Sequence, residues 1–279
     1  MSNAVRSRGG TGSRAPGLID TSAVKASNFH YNNAASIVLS GVDEYIVGPS
    51  MDSLATFTKS LSVSIWFRWE VTPPPSFRFL ANANTTAATL ADGWGLFWNS
   101  ASALKFFIGN WSTATQYAIS GNISNLNSEW HHVVGVYDGN QTLDTDTVKI
   151  YVDGVVGANV GTTTIAMNAL DKNVEIGRGG NTGNVDQHYM RGHSDEFALW
   201  DTPLSEEEAI AIYNDGVPFD LTGDTGNYTS SNSLLLHWRL GEEDTNTTDG
   251  IHDATGNGHT ATMTNMEDAD IDTTDHAGI

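Results

Sequence analysis

The sequence predicts an all-β antiparallel sandwich with one short helix. Apolar and polar residues alternate over many short stretches, and Gly, Asn, Asp and Pro separate those stretches. Helical start and stop signals occur together in one late stretch. Charged residues make up only 16% of the 279 residues, so Ser, Thr, Asn and Gly must supply the polar surface, as is common in turn-rich sandwiches.

The first predicted strands follow an irregular segment. Residues 1–28 are rich in Gly, Ser and Arg and have little periodicity. Residues 37–39 and 45–47 are apolar runs on either side of a Gly-Val-Asp-Glu turn, which predicts strand, turn, strand. Leu61–Trp69 alternates most clearly and predicts a strand with one buried face. Three prolines at 73–75 end that strand, because proline cannot donate to a β-ladder.

Further strands, a hairpin and the helix follow along the chain. The strands are predicted near residues 77–81, 94–98, 104–109, 116–119, 130–137, 148–152, 174–177, 195–200 and 234–240. Asp153-Gly154 predicts a tight hairpin turn, since glycine tolerates a positive φ. Ser205 and Glu208 have the spacing of a capping box, which predicts a helix that stops at Gly216.

Several of these segments, in this order, resemble the laminin-G-like jelly-roll family, which includes pentraxins and legume-type lectins. They are Ser40–Val47, Leu61–Trp69, Trp130–Val134, Lys149–Gly154, Glu175–Arg178, Asp195–Trp200 and Pro203–Glu208. The resemblance implies an antiparallel jelly-roll β-sandwich of the concanavalin A type. It is less informative about function, because this fold carries lectins, hydrolases, adhesion modules and structural proteins.

The sequence divides into three predicted regions. Residues 1–28 are predicted to form a basic arm, residues 29–216 the jelly roll, and residues 217–279 a C-terminal extension with one strand that packs on the sandwich. Within the extension, Leu236–Glu242, Asp253–Gly258 and Ala261–Met266 are similar to the C-terminal extensions of laminin-G-like proteins of tailed bacteriophages.

This second resemblance implies a non-enzymatic structural protein on the surface of a virion. Capsid decoration, capsid cement or a head fibre is favoured over a tail role, because the chain is short and has no coiled-coil or β-helical shaft. The expected partners are the major capsid protein or neighbouring copies of the chain in a homo-oligomer. A carbohydrate-binding lectin module, tail-associated or free, is the alternative.

The charge distribution restricts the partners. A net charge of −20 argues against nucleic acid and anionic membranes as partners, and no apolar run reaches the length of a membrane span. Arg6, Arg8 and Arg14 make the arm basic, whereas the residues after Arg239 carry acidic charges alone. Two interpretations stay open: two solvated tails, or a basic arm that docks on an acidic neighbour.

Catalytic chemistry is not expected. Jelly-roll glycoside hydrolases place a pair of carboxylates on a Glu-x-Asp-x-x-Glu strand, and that motif is absent from the sequence. His131 and His132 cannot readily bind one ion, because adjacent residues of a strand point to opposite faces. The chain has no cysteine for thiol chemistry.

Two binding sites are predicted. In the resembling proteins a structural cation can tie the early Gly-Val-Asp segment to the late Asp-Glu strand, which implicates Asp43 and Asp195 in binding Ca²⁺. Both acids could instead cap turns or bond backbone amides. Sugar binding needs exposed aromatic rings beside planar polar groups, although most tryptophans of a sandwich are packing residues. The sugar-binding candidates are Trp66, Asp92, Trp94, Asn110, Trp111 and Tyr189.

Overall fold

The structure is a computed structural model. It describes residues 31–55, 57, 59–70, 78–84, 93–99, 103–110, 114–119, 129–140, 147–158, 167, 171–179, 188–244 and 246–278. The chain divides into two units, Met1–Tyr31 and Asn32–Ile279, and the sandwich belongs to the second. The predicted arm with Arg6, Arg8 and Arg14 lies outside the described residues.

Strands dominate the described part of the chain, as the sequence predicts. They are β1 (Ser36–Ser40), β2 (Tyr45–Ser50), β3 (Ser60–Trp69), β4 (Arg78–Asn84), β5 (Gly93–Asn99), β6 (Ala103–Asn110), β7 (Ala114–Ile119), β8 (His131–Asp138), β9 (Val148–Val152), β10 (Val155–Val156), β11 (Asn173–Ile176), β12 (Arg191–Trp200), β13 (Leu234–Trp238), β14 (Thr262–Thr264) and β15 (Ile271–Asp272). The helices are a single turn, α1 (Met51–Leu54), and α2 (Glu206–Tyr213). No helix in this part of the chain is long and apolar enough to cross a membrane.

The strands form two antiparallel sheets. The eight-stranded sheet has the order β10-β9-β8-β3-β12-β1-β15, and β13 also pairs with β12. The seven-stranded sheet has the order β14-β2-β11-β4-β5-β6-β7. The predicted hairpin between β9 and β10 is confirmed, because Asp153 and Gly154 both have positive φ, at 51° and 73°.

The main core lies between the two sheets. From β3 it receives Leu61, Val63, Ile65, Phe67 and Trp69, the alternating set that the sequence predicts. Strands of the seven-stranded sheet add other fully buried side chains, including Ile46, Leu80, Leu96 and Phe106. Burying a side chain of this size contributes about 1.5–3 kcal/mol, so this layer supplies most of the driving force for folding.

The outer face of β3 is also buried, and here the prediction of a single buried face is wrong. A second apolar cluster on that side contains Val134, Val136, Tyr151, Ala198, Trp200, Leu204, Ala209, Ile212, Leu221, Tyr228 and Leu234. The alternation concealed this burial because the residues of β3 on that face include serines. Ser62 Oγ is satisfied there, since it donates to Thr202 O and accepts from Leu204 N, both at 2.8 Å.

Helix α2 starts where the sequence predicts. Ser205 Oγ accepts from Glu208 N, and the Glu208 carboxylate accepts from Ser205 N, which completes the capping box. The helix ends at Tyr213, three residues before the predicted Gly216, because Asn214 adopts the left-handed conformation with φ 48°. Asn214–Gly216 continues as a 3-10 turn.

The C-terminal extension supplies three strands rather than the predicted one. β13 pairs with β12 in the eight-stranded sheet. β14 pairs with β2, and β15 pairs with β1, so the extension adds a strand to the seven-stranded sheet and a second strand to the eight-stranded sheet. Strands of two or three residues show no periodicity in a sequence, and tertiary pairing alone defines them.

Candidate functional site

A bulge in β12 creates the first candidate site. Strand β12 pairs with β3 along one edge for most of its length. Along its other edge, residues 191–194 pair with β1 and residues 197–200 pair with β13. The register with β3 shifts between Asp195 and Ala198, and Glu196 has φ 48°. The junction of β1 and β13 therefore places Asp195 and Glu196 beside the chain that follows β13.

Three carboxylates meet at this junction. Asp195, Glu196 and Glu242 each place an oxygen within 4.8 Å of the others, and Asp195 has no exposed area. Glu196 is held by His237 Nε2 at 2.6 Å and by Arg239 Nε at 3.5 Å. Glu242 Oε1 accepts from the backbone of the segment before β1, at 2.9 and 3.1 Å.

The ionisation of this carboxylate cluster is perturbed. Burial, followed by the charges of Glu196 and Glu242, raises the pKa of Asp195 well above its ordinary value. Burial, followed by the charge of Glu196, raises the pKa of Glu242 to about 7. Asp195 Oδ1 and Glu242 Oε2 have no hydrogen-bond partner within the described ranges. Hard oxygens in this arrangement fit Ca²⁺, and Asn33 Oδ1, which also has no hydrogen-bond partner among the described residues, is a further candidate ligand oxygen.

The structure does not bring the predicted calcium ligands Asp43 and Asp195 together. β1 and β12 are antiparallel, with Ile37 opposite Ser194 and Ser40 opposite Arg191. Asp195 therefore lies beside the start of β1, whereas Asp43 follows the other end of this strand. The strand between these two ends is about 13 Å long. Asp43 accepts from Asn265 Nδ2 at 3.2 Å instead.

A cleft on the outer side of the eight-stranded sheet is the second candidate site. Its volume is about 670 Å³, within the range of small-molecule sites. Strand β3, the residues before β8, the end of the α2 region and the C-terminal segment all contribute walls. The lining residues are Trp66, Arg68, Glu129, Trp130, Gly216, Asp272, Thr274, Asp275 and Gly278.

Asp275 fixes the geometry of this cleft. Trp130 Nε1 donates to Asp275 Oδ1 at 2.8 Å, and Arg68 forms an ion pair with Asp275 Oδ2. The backbone oxygen of Asp275 accepts from Ser36 Oγ at 2.6 Å. The C-terminal segment is thereby held against β3 and β1 as a wall of the cleft.

Trp66, a predicted sugar-binding residue, lies at the base of this cleft. Only 3% of Trp66 is exposed. Its ring centroid is 4.8 Å from that of His132 and 5.9 Å from that of Tyr213. Burial lowers the pKa of His132 to about 3, so this ring is neutral at physiological pH. Trp66 therefore packs beneath the cleft and does not present the face of its ring to a sugar.

The remaining predicted sugar-binding residues do not join Trp66. Trp94 is buried in the main core with its Nε1 3.4 Å from Met51 Sδ, so it is a packing residue. Tyr189 is partly buried beside Arg178, and burial raises its pKa. Asn110 is the last residue of β6, but its side chain lies outside the described set, as do the two other candidates, Asp92 and Trp111.

Sequence reasoning missed most of the cleft. Trp130 is not among the predicted sugar-binding residues, and the acidic residues after Arg239 are interpreted only as a solvated tail or as an acidic neighbour for the basic arm. A signal was present, because Trp130 immediately precedes β8 and so lies at the end of a strand. The opposite orientation of the two histidines is confirmed: His131 Nδ1 contacts Asp153 Oδ2 at 2.7 Å, whereas the His132 ring packs against Trp66 at a tilt of 31°.

Comparison with protein families identifies the fold. A laminin G family model, described as the concanavalin A-like lectin/glucanases superfamily, matches residues 40–210. The match covers more than half of the sequence, and the chain belongs to this superfamily. No curated protein matches the chain.

The chain is also similar to a number of solved structures. A candidate carbohydrate-binding protein from Bacteroides ovatus has a TM-score of 0.59 and 17% identity, over 83% of this chain. This chain spans 59% of the length of that protein. The heptameric SAP-like pentraxin of Limulus polyphemus has a TM-score of 0.49 and 14% identity, over 83% of this chain and 94% of the pentraxin.

The third structure is the CBM40 of the Ruminococcus gnavus IT-sialidase bound to α2,3-sialyllactose. It has a TM-score of 0.44 and 15% identity, over 64% of this chain and 96% of the module. At 17% identity, the similarity to the Bacteroides ovatus protein establishes a shared fold alone.

Proposed function

We propose that this chain is a carbohydrate-binding, lectin-like domain that holds a sugar in the cleft beside Trp130. The observation that carries the proposal is the hydrogen bond from Trp130 Nε1 to Asp275, which fixes an aromatic ring next to a carboxylate in one cleft. The C–H face of a sugar packs on an aromatic ring, while carboxylates accept hydrogen bonds from its hydroxyls. The fold shared with the Bacteroides ovatus protein supports a sugar as the ligand class.

A glycan array followed by isothermal titration calorimetry tests this proposal. We expect a glycan to bind the wild-type chain, and Trp130→Ala to weaken that binding at least tenfold. Tyr189→Ala is the matched control, because Tyr189 is an aromatic candidate from the sequence that lies outside the cleft. Unchanged affinity of Trp130→Ala with the same thermal unfolding as wild type would exclude the cleft as the site.

The proposed role is binding without catalysis. Glycoside hydrolysis requires one carboxylic acid and one carboxylate on either side of the scissile bond. Asp275 is already engaged by Trp130 and Arg68, so it is a poor candidate for either role. Incubation of the chain with each glycan that it binds should release no reducing sugar. Release of reducing sugar from any of these glycans would contradict this part of the proposal.

We also propose that the carboxylate cluster binds a structural Ca²⁺. Asp195, Glu196 and Glu242 would hold the ion, which would neutralise carboxylates that are otherwise buried close together. Ala277 N donates to Asp195 Oδ2 at 3.0 Å, so the same cluster also anchors the C-terminal segment.

A more specific proposal is that the domain is displayed on a virion surface as a capsid decoration or head-fibre protein. Its partners would be the major capsid protein or neighbouring copies. The support is the sequence resemblance of Leu236–Glu242, Asp253–Gly258 and Ala261–Met266 to the C-terminal extensions of laminin-G-like phage proteins. Electron microscopy of purified particles with an antibody against the chain tests it. Regular labelling of heads supports decoration, labelling of tail tips favours host-glycan recognition, and unlabelled particles contradict a virion role.

A further inference from the structure

We infer that the Trp130 cleft selects sugars that carry a free amino group, and this inference rests on the proposed sugar-binding function. The ligand class is a hexosamine or an oligomer of it, bound through its ammonium group. The inference depends on the balance of charge among the residues that line the cleft.

The cleft has an excess of negative charge. Its lining contains three carboxylates, on Glu129, Asp272 and Asp275, and Arg68 is the single cationic side chain among the described lining residues. Arg68 is paired with Asp275, so the lining offers no cation to Glu129 or Asp272. His193 lies behind Trp130 with a ring-centroid distance of 6.0 Å. Burial, with a further contribution from Arg68, lowers the pKa of His193 and keeps it neutral at pH 7.

Asp272 is held as an ionised acceptor. Its Oδ1 accepts from Thr274 N at 2.8 Å and from Thr274 Oγ1 at 2.7 Å. Burial alone would raise its pKa, but these hydrogen bonds outweigh burial and hold the pKa below the ordinary value. Glu129, at the exposed rim, has no ion-pair partner within 4 Å among the described side chains.

This charge balance discriminates between sugar classes. A sialic, uronic or sulfated sugar would bring a second anion beside Glu129 and Asp272, and like charges repel strongly in a partly desolvated cleft. A neutral sugar would leave the excess charge uncompensated. An ammonium group gains charge-assisted hydrogen bonds to a carboxylate and favourable contact with the indole of Trp130. The overall charge of −20 adds long-range attraction for a cationic ligand.

The acids alone would not define a site, because exposed carboxylates are common. What distinguishes Asp272 is its position in the wall of a cleft of about 670 Å³ that also contains Trp130 and the edge of Trp66. The contacts of Asp275 with Trp130, Arg68 and Ser36 fix that wall. The carboxylates and the aromatic ring are thus presented to one ligand.

Three β-1,4-linked hexamers that differ only at carbon 2 test the inference. They carry a hydroxyl (glucose), an acetamido group (N-acetylglucosamine) or an ammonium group (glucosamine). Calorimetry is performed at a pH that keeps the amine protonated. We expect the glucosamine hexamer to bind at least tenfold more tightly than the other two, and its affinity to fall as salt increases.

Variants separate this inference from the proposed function. Glu129→Gln and Asp272→Asn should each reduce the preference for the glucosamine hexamer over the glucose hexamer, because each removes one negative charge from the cleft. Asp272→Asn keeps the Oδ1 acceptor for Thr274, so the local structure should be retained. Trp130→Ala should weaken binding of every sugar that binds. Equal or tighter binding of the glucose or N-acetylglucosamine hexamer overturns the amino-sugar inference and leaves sugar binding intact. Binding of none of the three also overturns it, and only an additional blank glycan array would remove the proposed function.

Discussion

Trp130 Nε1 donates a 2.8 Å hydrogen bond to Asp275 Oδ1, although 145 positions separate the two residues in the chain. The other oxygen of the same carboxylate pairs with Arg68 on β3. One acidic side chain near the C-terminus therefore orients the aromatic ring of the cleft and closes one of its walls.

The first prediction concerns this carboxylate. Asp275→Ala should weaken sugar binding about tenfold or more, because Trp130 loses its hydrogen-bond partner and the C-terminal segment loses its contact with Arg68. Asp275→Asn should be intermediate, since an amide oxygen still accepts from Trp130 but carries no charge. Calorimetry measures both affinities, and Trp fluorescence reports the change around the indole. A wild-type affinity for Asp275→Ala would show that this wall is not needed.

The second prediction concerns pH and Glu242. Its pKa is raised from 4.5 to about 7 in the folded chain, so folding favours the protonated form. The resulting stabilisation is fully present below pH 4.5 and is lost as pH rises through 7. It amounts to roughly 3 kcal/mol. In the presence of a chelator, the unfolding free energy of Glu242→Gln should equal that of wild type at pH 5 and exceed that of wild type at pH 8. Parallel pH profiles for the two chains would contradict the assignment.

The third prediction concerns His132, whose pKa is shifted in the opposite direction. Burial lowers it from 6.5 to about 3, so folding favours the neutral ring and stability is lost as pH falls from 6.5 toward 3. The loss is roughly 3–5 kcal/mol by pH 3. His132→Phe keeps a ring beside Trp66 and Tyr213, so it should flatten this acid limb. Denaturant titrations at several pH values measure the slope, and an unchanged acid limb would assign the loss to another group.

The fourth prediction concerns Ca²⁺. Ca²⁺ that binds only the folded chain stabilises it by about 2.7 kcal/mol at a hundredfold excess over Kd. Tm at pH 7.5 should therefore rise with Ca²⁺ and fall with chelator, and Asp195→Asn should abolish the response. Asp43→Asn is the control and should keep it, because Asp43 lies outside the cluster. A Ca²⁺ response lost in Asp43→Asn but kept in Asp195→Asn would place the ion at the other end of β1.

The fifth prediction concerns the contact between Gly48 and Trp238 across the sandwich. A Cβ added at Gly48 would lie 2.2 Å from Trp238 Cη2, and Trp238 Nε1 is anchored to His259 O at 2.6 Å. Gly48→Ala should therefore lower the unfolding free energy by about 2 kcal/mol. Gly223→Ala, which has open space around its added Cβ, should change it by less than about 0.5 kcal/mol. Urea titration compares the two, and equal midpoints would argue against the contact.

The sequence predicted those parts of the fold that have a local cause. The alternation of β3, the Asp153-Gly154 hairpin and the Ser205 capping box depend on neighbouring residues, and the structure has all three. β14 and β15 are too short for a periodic signal, so only their pairing with β2 and β1 reveals them.

The candidate site was harder to predict, because it depends on tertiary junctions. The Asp-Glu motif pointed to Asp195, but Glu242 joins it only because β1 and β13 meet beside the β12 bulge. The sequence around Trp130 does not distinguish it from a packing tryptophan, and only its hydrogen bond to Asp275 in the structure does so. Local pattern therefore gave the elements, whereas the partners of each functional side chain come from distant segments.

The pairing of the C-terminal extension with the first two strands also affects the kinetics of folding. β15 joins Ile271 to Ile37, and β14 joins Met263 to Ile46, so each ladder closes a loop of more than two hundred residues. Contacts with such a separation form slowly, because the chain loses loop entropy before it gains the pairing. During synthesis β1 and β2 would each have one unpaired edge until β15 and β14 are made. Unpaired strand edges of this kind can pair with other chains and lead to aggregation. Premature termination before residue 262 should thus yield aggregation rather than a smaller sandwich.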